Sequence, residues 1–214
     1  MPDYPYYPNP SYLDKKKPLA PERIPEANLR ALAMAAALAR KNNVLPPELA
    51  DMLLPNALVE GRHEDMGMNN FGYPVTPQRD QRFQQLGLRV GRDVEQPPVN
   101  ADWGDAEYEE WDRLHPSKFD VFPNADKAGY TIGSEDPNVM AKVAAAMLAE
   151  KAAIYGQDKA VERWNGNGRI ISKNGQVFAD SQNHARKVKL MAEMLKHPAN
   201  AQTMNFYKSL LGEK

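Results

Sequence analysis

A carboxyl group serves as an acid near neutrality only where its surroundings hold the proton on it, and Glu60 is placed that way. It closes the run PPELADMLLPNALVE, which opens on Pro46 and Pro47 and reads as a helix with Gly61 as its stop. At about 100° per residue, Glu60 falls within about 20° of Leu53 and Leu49 on the apolar face of that helix. It also occupies the last turn, where the helix dipole is negative. Both circumstances disfavour the ionised form and raise the pKa. Periodicity alone leaves a second reading open, an ordinary helix-end glutamate that bends out to solvent or pairs with Arg62. Pro55, inside the run, predicts a kink or a lost hydrogen bond.

Other chemistries find less support. His63, His115, His184 and His197 share no ligand spacing, and the adjacent His63, Glu64 and Asp65 are poorly placed to converge on one ion, so no metal and no cofactor are expected. The GNGR segment follows a helix instead of a strand and so lacks the setting of a phosphate-cradling loop. With no cysteine the chain has no thiol nucleophile, no disulfide scaffold and no cysteine-held zinc. The balance of 27 Lys+Arg against 28 Asp+Glu gives no general field for nucleic acid or anionic lipid. Arg186, Lys187 and Lys189 read as a solvated helix face. No apolar run reaches the length of a membrane span, and residues 1–25 lack the apolar stretch of a secretory signal, which predicts a soluble chain not exported by a signal of its own.

The elements that must position Glu60 are mostly helical. The 214 residues fit one domain with extensions, and a 42% hydrophobic content beside 18 prolines predicts a real core carrying much irregular chain. Residues 1–25 hold seven prolines and four tyrosines and read as an extended arm, either a disordered leader or a docking arm through Tyr4, Tyr6, Tyr7 and Tyr12. Residues 26–42 read as an alanine-rich helix ended by Asn42 and Asn43. PQRDQRFQQLGL reads as a short helix, and the acid- and tryptophan-rich stretch 102–112 as an exposed acidic flap or an acid-aromatic groove. Asp136 and Pro137 open a long helix that ends at Gly156, with Val139, Val143, Met147 and Ile154 as one apolar line and Met140, Ala144, Leu148 and Tyr155 as a second. A short helix at 158–164 follows, then a β-hairpin around Asn174-Gly175, then helices at about 181–196 and 200–211.

Two of these segments carry a family resemblance. LPPELADMLLPNALVEGR resembles the catalytic helix of soluble lytic transglycosylases and other lysozyme-like muramidases. DPNVMAKVAAAMLAEKAAIYGQDKAVERWNGNGR is similar to that family's long helix, Tyr-Gly turn and short helix ending in Tyr-Asn-x-Gly, here Trp164-Asn165-Gly166. ADSQNHARKVKLMAEML resembles the closing helix. The likeness covers about residues 26–73 and 136–196, and is greatest to the form carried by virion-associated proteins of tailed phages. The sequence departs from the family where Gly61 replaces the serine after the glutamate, and where MGMNNFGYP replaces the Gly-Leu-Met-Gln turn.

The resemblance implies a mainly α, lysozyme-like helical domain with a small β-hairpin over 26–198, a long loop at 74–135, the arm at 1–25 and a C-terminal helix and tail at 199–214. It implies that Glu60 protonates the bond between N-acetylmuramic acid and N-acetylglucosamine and then acts as base, with Asn69, Asn70, Tyr73, Trp164 and Asn165 lining sugar subsites. Core packing remains an equal reading for Trp164 and Tyr73, and a turn role for Asn165. A hydrolytic lysozyme would instead want a second carboxylate about 5–9 Å away. Glu64, Asp65, Asp102 and Asp105 are candidates, and none sits in a motif. The expected setting is a phage virion acting at the bacterial cell wall during genome entry after synthesis in the host cytoplasm. The implied partners are peptidoglycan glycan strands and, through the arm, other virion proteins, with no specific nucleic acid and no membrane span. A virion structural protein that keeps the fold without activity is the alternative, and a helical DNA- or protein-binding module a third, disfavoured by the net charge of −1.

Overall fold

The computed structural model describes residues 25–59, 76–91, 102–115, 118–123, 130–132, 136–164, 169–171 and 177–212, and these form a mainly helical protein. Its centre is a pair of alanine-rich helices, α1 (Glu26–Lys41) and α6 (Pro137–Tyr155). Ala31, Ala35, Ala36 and Ala39 of α1 and Ala141, Ala144, Ala145 and Ala146 of α6 are all buried. Small side chains let two helix backbones approach closely, which explains why so much alanine lies inside.

The ends of both helices follow from local chemistry. Asn42 caps α1 and Asn43 takes a positive φ of 54°, which asparagine tolerates better than most residues. Asp136 accepts a hydrogen bond from the Asn138 amide at the start of α6, Pro137 occupies its first turn, and Gly156 stops it at φ 86°. The broad buried face of α6 is as the sequence predicts, with one correction: Ile154 is 59% exposed.

The helix expected to end at Glu60 is two helices, α2 (Pro47–Ala50) and α3 (Leu53–Val59), separated by a turn at Asp51 and Met52. The physical reason is Pro55. It has no N–H to give Asp51, and its ring would collide with that residue's carbonyl, so the break falls one turn before it. The angular relation between Leu49 and Glu60 along one continuous helix therefore lapses.

The span expected as a long loop at 74–135 contains elements of its own. Helix α4 (Pro77–Gln85) is capped by Thr76, whose hydroxyl accepts from the Arg79 amide at 3.3 Å. The acidic stretch is a helix, α5 (Asp105–Leu114), opened by Glu107 accepting from the Gly104 amide at 2.9 Å. Its exposure agrees with the flap reading. Its aromatic side chains meet near neighbours instead of lining a groove: Trp103 lies edge-on to Tyr108 and Trp111 stacks on His115. Strands β1 (Val121–Pro123) and β2 (Tyr130–Ile132) pair antiparallel, a hairpin too short for periodicity to reveal. Asp120 ties β1 back to the tail of α4 by accepting from the Arg89 backbone amide and guanidinium, and this pairing holds its carboxyl below the usual range.

After α6 the order follows the sequence expectations closely. Helix α7 (Gln157–Ala160) continues as turns to Trp164. Strands β3 (Arg169–Ile171) and β4 (Val177–Asp180) pair antiparallel with an irregularity between Ile170 and Ile171, and the Asn174-Gly175 turn itself lies outside the described residues. Helix α8 (Ser181–Leu195) packs on α3, and α9 (Ala201–Leu211) packs on α1. Among the described residues no helix is long and apolar enough to cross a membrane.

Candidate functional site

All seven residues of α3 are buried, from Leu53 to Val59, so this short helix runs through the interior with no solvent face. Val59 is only 3% exposed, and Glu60 is its covalent successor. Glu60 itself lies outside the described residues, as do Asn69, Asn70, Tyr73 and Asn165, along with Arg62, His63, Glu64 and Asp65.

Both flanks of the segment that holds most of these residues are anchored. On one side α3 packs against α8. On the other, α4 packs against α6, and Arg79 forms a two-pronged ion pair with Glu150 in which both side chains are nearly buried. Residues 60–75 join these two packed elements in the sequence.

The sequence-based reading missed the pair that joins α3 to α8. Asn56, one turn before Glu60, accepts a hydrogen bond from His184 at 2.8 Å from Nε2 to Oδ1, and both residues are buried. A signal for it was present. His184 lies on the same stripe of α8 as Val188, Met191 and Leu195, all buried, and Asn56 is the lone polar residue in LLPNALV. The cationic residues nearby on α8 behave as expected of a solvated face, with Arg186 and Lys189 exposed and Lys187 half-buried.

Burial, with a smaller contribution from the Lys187 charge, pushes the His184 imidazole down to about 4. Above about pH 6.5 the ring is neutral in both the folded and the unfolded chain. As the pH falls below that value the unfolded chain takes up a proton that the folded protein refuses, so stability declines until the folded pKa is reached. The difference between about 6.5 and about 4 corresponds to roughly 3 kcal/mol. Urea unfolding at pH 7 and pH 4 should show that loss in the wild type and a much smaller one in His184→Leu. Parallel pH dependences in the two proteins would place the proton uptake elsewhere.

For Trp164 the sequence leaves a sugar site and core packing equally open. The residue is 7% exposed and belongs to the hydrophobic core, so its indole packs inside and offers almost no face to a sugar ring. Asp102 and Asp105 are exposed at the start of α5. A cleft of about 670 Å³ opens at the opposite end of α3 from Val59, between Met52, Pro55, Leu195, Met204 and Tyr207, with Glu48 and Lys208 at its lining. Since α3 rises about 1.5 Å per residue, that cleft and the exit at Val59 are separated by most of the helix. Among the described residues no three His, Asp or Glu side chains converge as a metal site would require.

Comparison of the chain with protein-family models, with curated proteins and with solved structures finds no match.

Proposed function

We propose that this protein is a peptidoglycan lytic transglycosylase of a bacteriophage particle, with a lysozyme-like fold and Glu60 as its general acid and base. The observation that carries the reading is the wholly buried α3, which delivers the chain to Glu60 directly from the core at Val59. The sequence sets Glu60 directly after that buried helix, and a low-dielectric neighbourhood is what lets a carboxyl keep its proton at neutral pH. The order of elements supports the reading too. A long helix, a glycine stop, a short helix and a closing helix follow in the sequence that the family resemblance implies.

In the proposed reaction the Glu60 carboxyl gives its proton to the glycosidic oxygen as the bond to the muramyl anomeric carbon breaks. Positive charge develops at that carbon, and the substrate's own acetamido oxygen stabilises it. Glu60, now a carboxylate, removes the proton of the muramyl 6-hydroxyl as that oxygen bonds to the anomeric carbon. The products are a 1,6-anhydromuramyl end and a free N-acetylglucosamine 4-hydroxyl, and no water is consumed. The near-neutral net charge supports delivery to the wall by a particle over capture by free electrostatic attraction.

Digestion of purified peptidoglycan followed by mass analysis tests this directly. Released muropeptides should carry anhydro ends, one water lighter than reducing ends. Reducing ends would assign hydrolysis and a second carboxylate, and an inert wild type would assign a structural role in the particle.

A further inference from the structure

We propose that α5 is a recognition helix for a second protein, docking its aromatic ridge into an apolar groove of a partner whose rim carries lysine and arginine side chains. The inference is independent of any role for Glu60.

The helix stands apart from the core that organises the rest of the chain. None of its described side chains is buried, whereas the shorter α4 seats Phe83 in the core. Most protein helices draw their stability from packing one face inward, and a helix of 10 residues is marginal in water by itself. Local contacts brace α5. Glu107 accepts from the Gly104 amide at 2.9 Å, and Arg113 donates to both oxygens of Glu110 at 2.7 and 2.5 Å. At the far end the His115 Nδ1 donates to the Trp111 carbonyl at 2.9 Å. A helix braced this way keeps its shape while its aromatic face stays off the core.

That face is continuous. At about 100° per residue, Tyr108, Trp111 and His115 fall within about 60° of one another, the i, i+3, i+7 spacing by which helices anchor in grooves. Trp103 extends the line, its ring edge-on to Tyr108 with centroids 5.2 Å apart, and Trp111 stacks on His115 at 4.3 Å. Leu114, beside Trp111, is 59% exposed. Rings already ordered against one another lose little freedom on docking, which favours them as anchors.

The surrounding charge selects the partner. Residues 102–113 hold six carboxylates (Asp102, Asp105, Glu107, Glu109, Glu110 and Asp112) against Arg113 alone, in a chain of net charge −1. Asp105 and Glu109 flank one side of the aromatic line and Glu107 the other, all three exposed. A second copy of this chain would bring the same acids face to face, and nucleic acid or an anionic membrane would be repelled. An apolar groove with a cationic rim meets both features at once, since its cations face the carboxylates and can lie over the indole rings.

The test uses the full chain and a defined probe, an amphipathic helical peptide built of leucine and lysine. Two control peptides accompany it, one with glutamate for every lysine and one with serine for every leucine. Affinity is read by calorimetry, and the bound site by amide hydrogen exchange and tryptophan emission. The leucine–lysine peptide should bind saturably, protect the amides of residues 103–115 and shift the emission of the half-exposed indoles to the blue, and neither control should do so. Trp103→Ala/Trp111→Ala and Asp105→Lys/Glu109→Lys should each weaken binding at least tenfold, because one removes the anchors and the other the complementary charge. Both variants should melt within a few degrees of wild type, since the core gains nothing from α5. Equal binding of the leucine-free peptide would overturn the proposal in favour of bare charge attraction. Affinity unchanged in both variants, or no saturable binding of the leucine–lysine peptide, would equally overturn it, and self-association abolished by the variants would assign the face to a second copy. If the tryptophan variant does not fold, the charge-reversed one gives the same decision.

Discussion

Glu60→Gln should lower the rate of muropeptide release by at least a hundredfold, and by as much as about ten-thousandfold, while leaving the melting temperature within a few degrees of wild type. The amide has nearly the shape of the acid but cannot give up a proton to a leaving oxygen, nor take one from a hydroxyl. Both half-reactions of the proposed cycle use the same group, so the loss falls on kcat and not on substrate affinity. Fold integrity should survive because the change is nearly isosteric and leaves the seven buried residues of α3 untouched. The pH dependence adds a second check. A group that must begin protonated gives activity that declines as the pH rises through its pKa, so a wild-type rate falling on the alkaline side reports Glu60 if Glu60→Gln loses that limb. A variant retaining more than about a tenth of the wild-type rate would remove Glu60 from the chemistry.

Glu60 could be singled out from the sequence because everything that marks it is local: a carboxylate, an apolar run before it and a glycine after it. The same is true of the helices that build the core. Asp136-Pro137 and Gly156 fix the ends of α6 through capping and a positive φ, and alanine content marks α1 over almost its full length. Where two local signals compete, the sequence is harder to read. Pro47 starts a helix and Pro55 forbids its continuation, and only the structure shows that the compromise is a break at Asp51 and Met52. Three-residue strands such as β1 and β2 give no period at all. Long-range partners are illegible for a different reason. Asn56 and His184 are 128 residues apart, and nothing in either neighbourhood names the other. Trp164 shows the limit of reading residue type, since an indole serves a sugar site and a core equally well and burial alone decides between them.

Arg79 and Glu150 present the largest expected loss of stability outside the apolar core. Removing either partner alone, as in Glu150→Ala or Arg79→Ala, should cost about 3–5 kcal/mol, because the remaining charge is left nearly buried with its principal counter-ion gone. The pair joins the first turn of α4 to α6 across 71 residues of sequence, with two separate hydrogen bonds from the guanidinium to the carboxylate. Its role reaches the candidate site because α4 begins directly after residues 60–75, the segment that runs on from Val59 and carries Glu60, Asn69, Asn70 and Tyr73. Releasing α4 frees the helix that follows that segment in the sequence. The single variants should therefore lose the proposed cell-wall activity at temperatures where they remain folded. Replacing both residues by methionine provides the decisive comparison. It removes the charges together and fills similar space with apolar atoms, so stability should return to within about 1–2 kcal/mol of wild type, or exceed it. Urea denaturation of Arg79→Met, Glu150→Met and the double methionine variant measures this as a cycle. A coupling energy near zero would mean that the ion pair is incidental and that α4 is held to α6 by Phe83 and its apolar neighbours alone. Activity restored together with stability in the double variant would show that the site needs α4 anchored and has no need of the charges themselves.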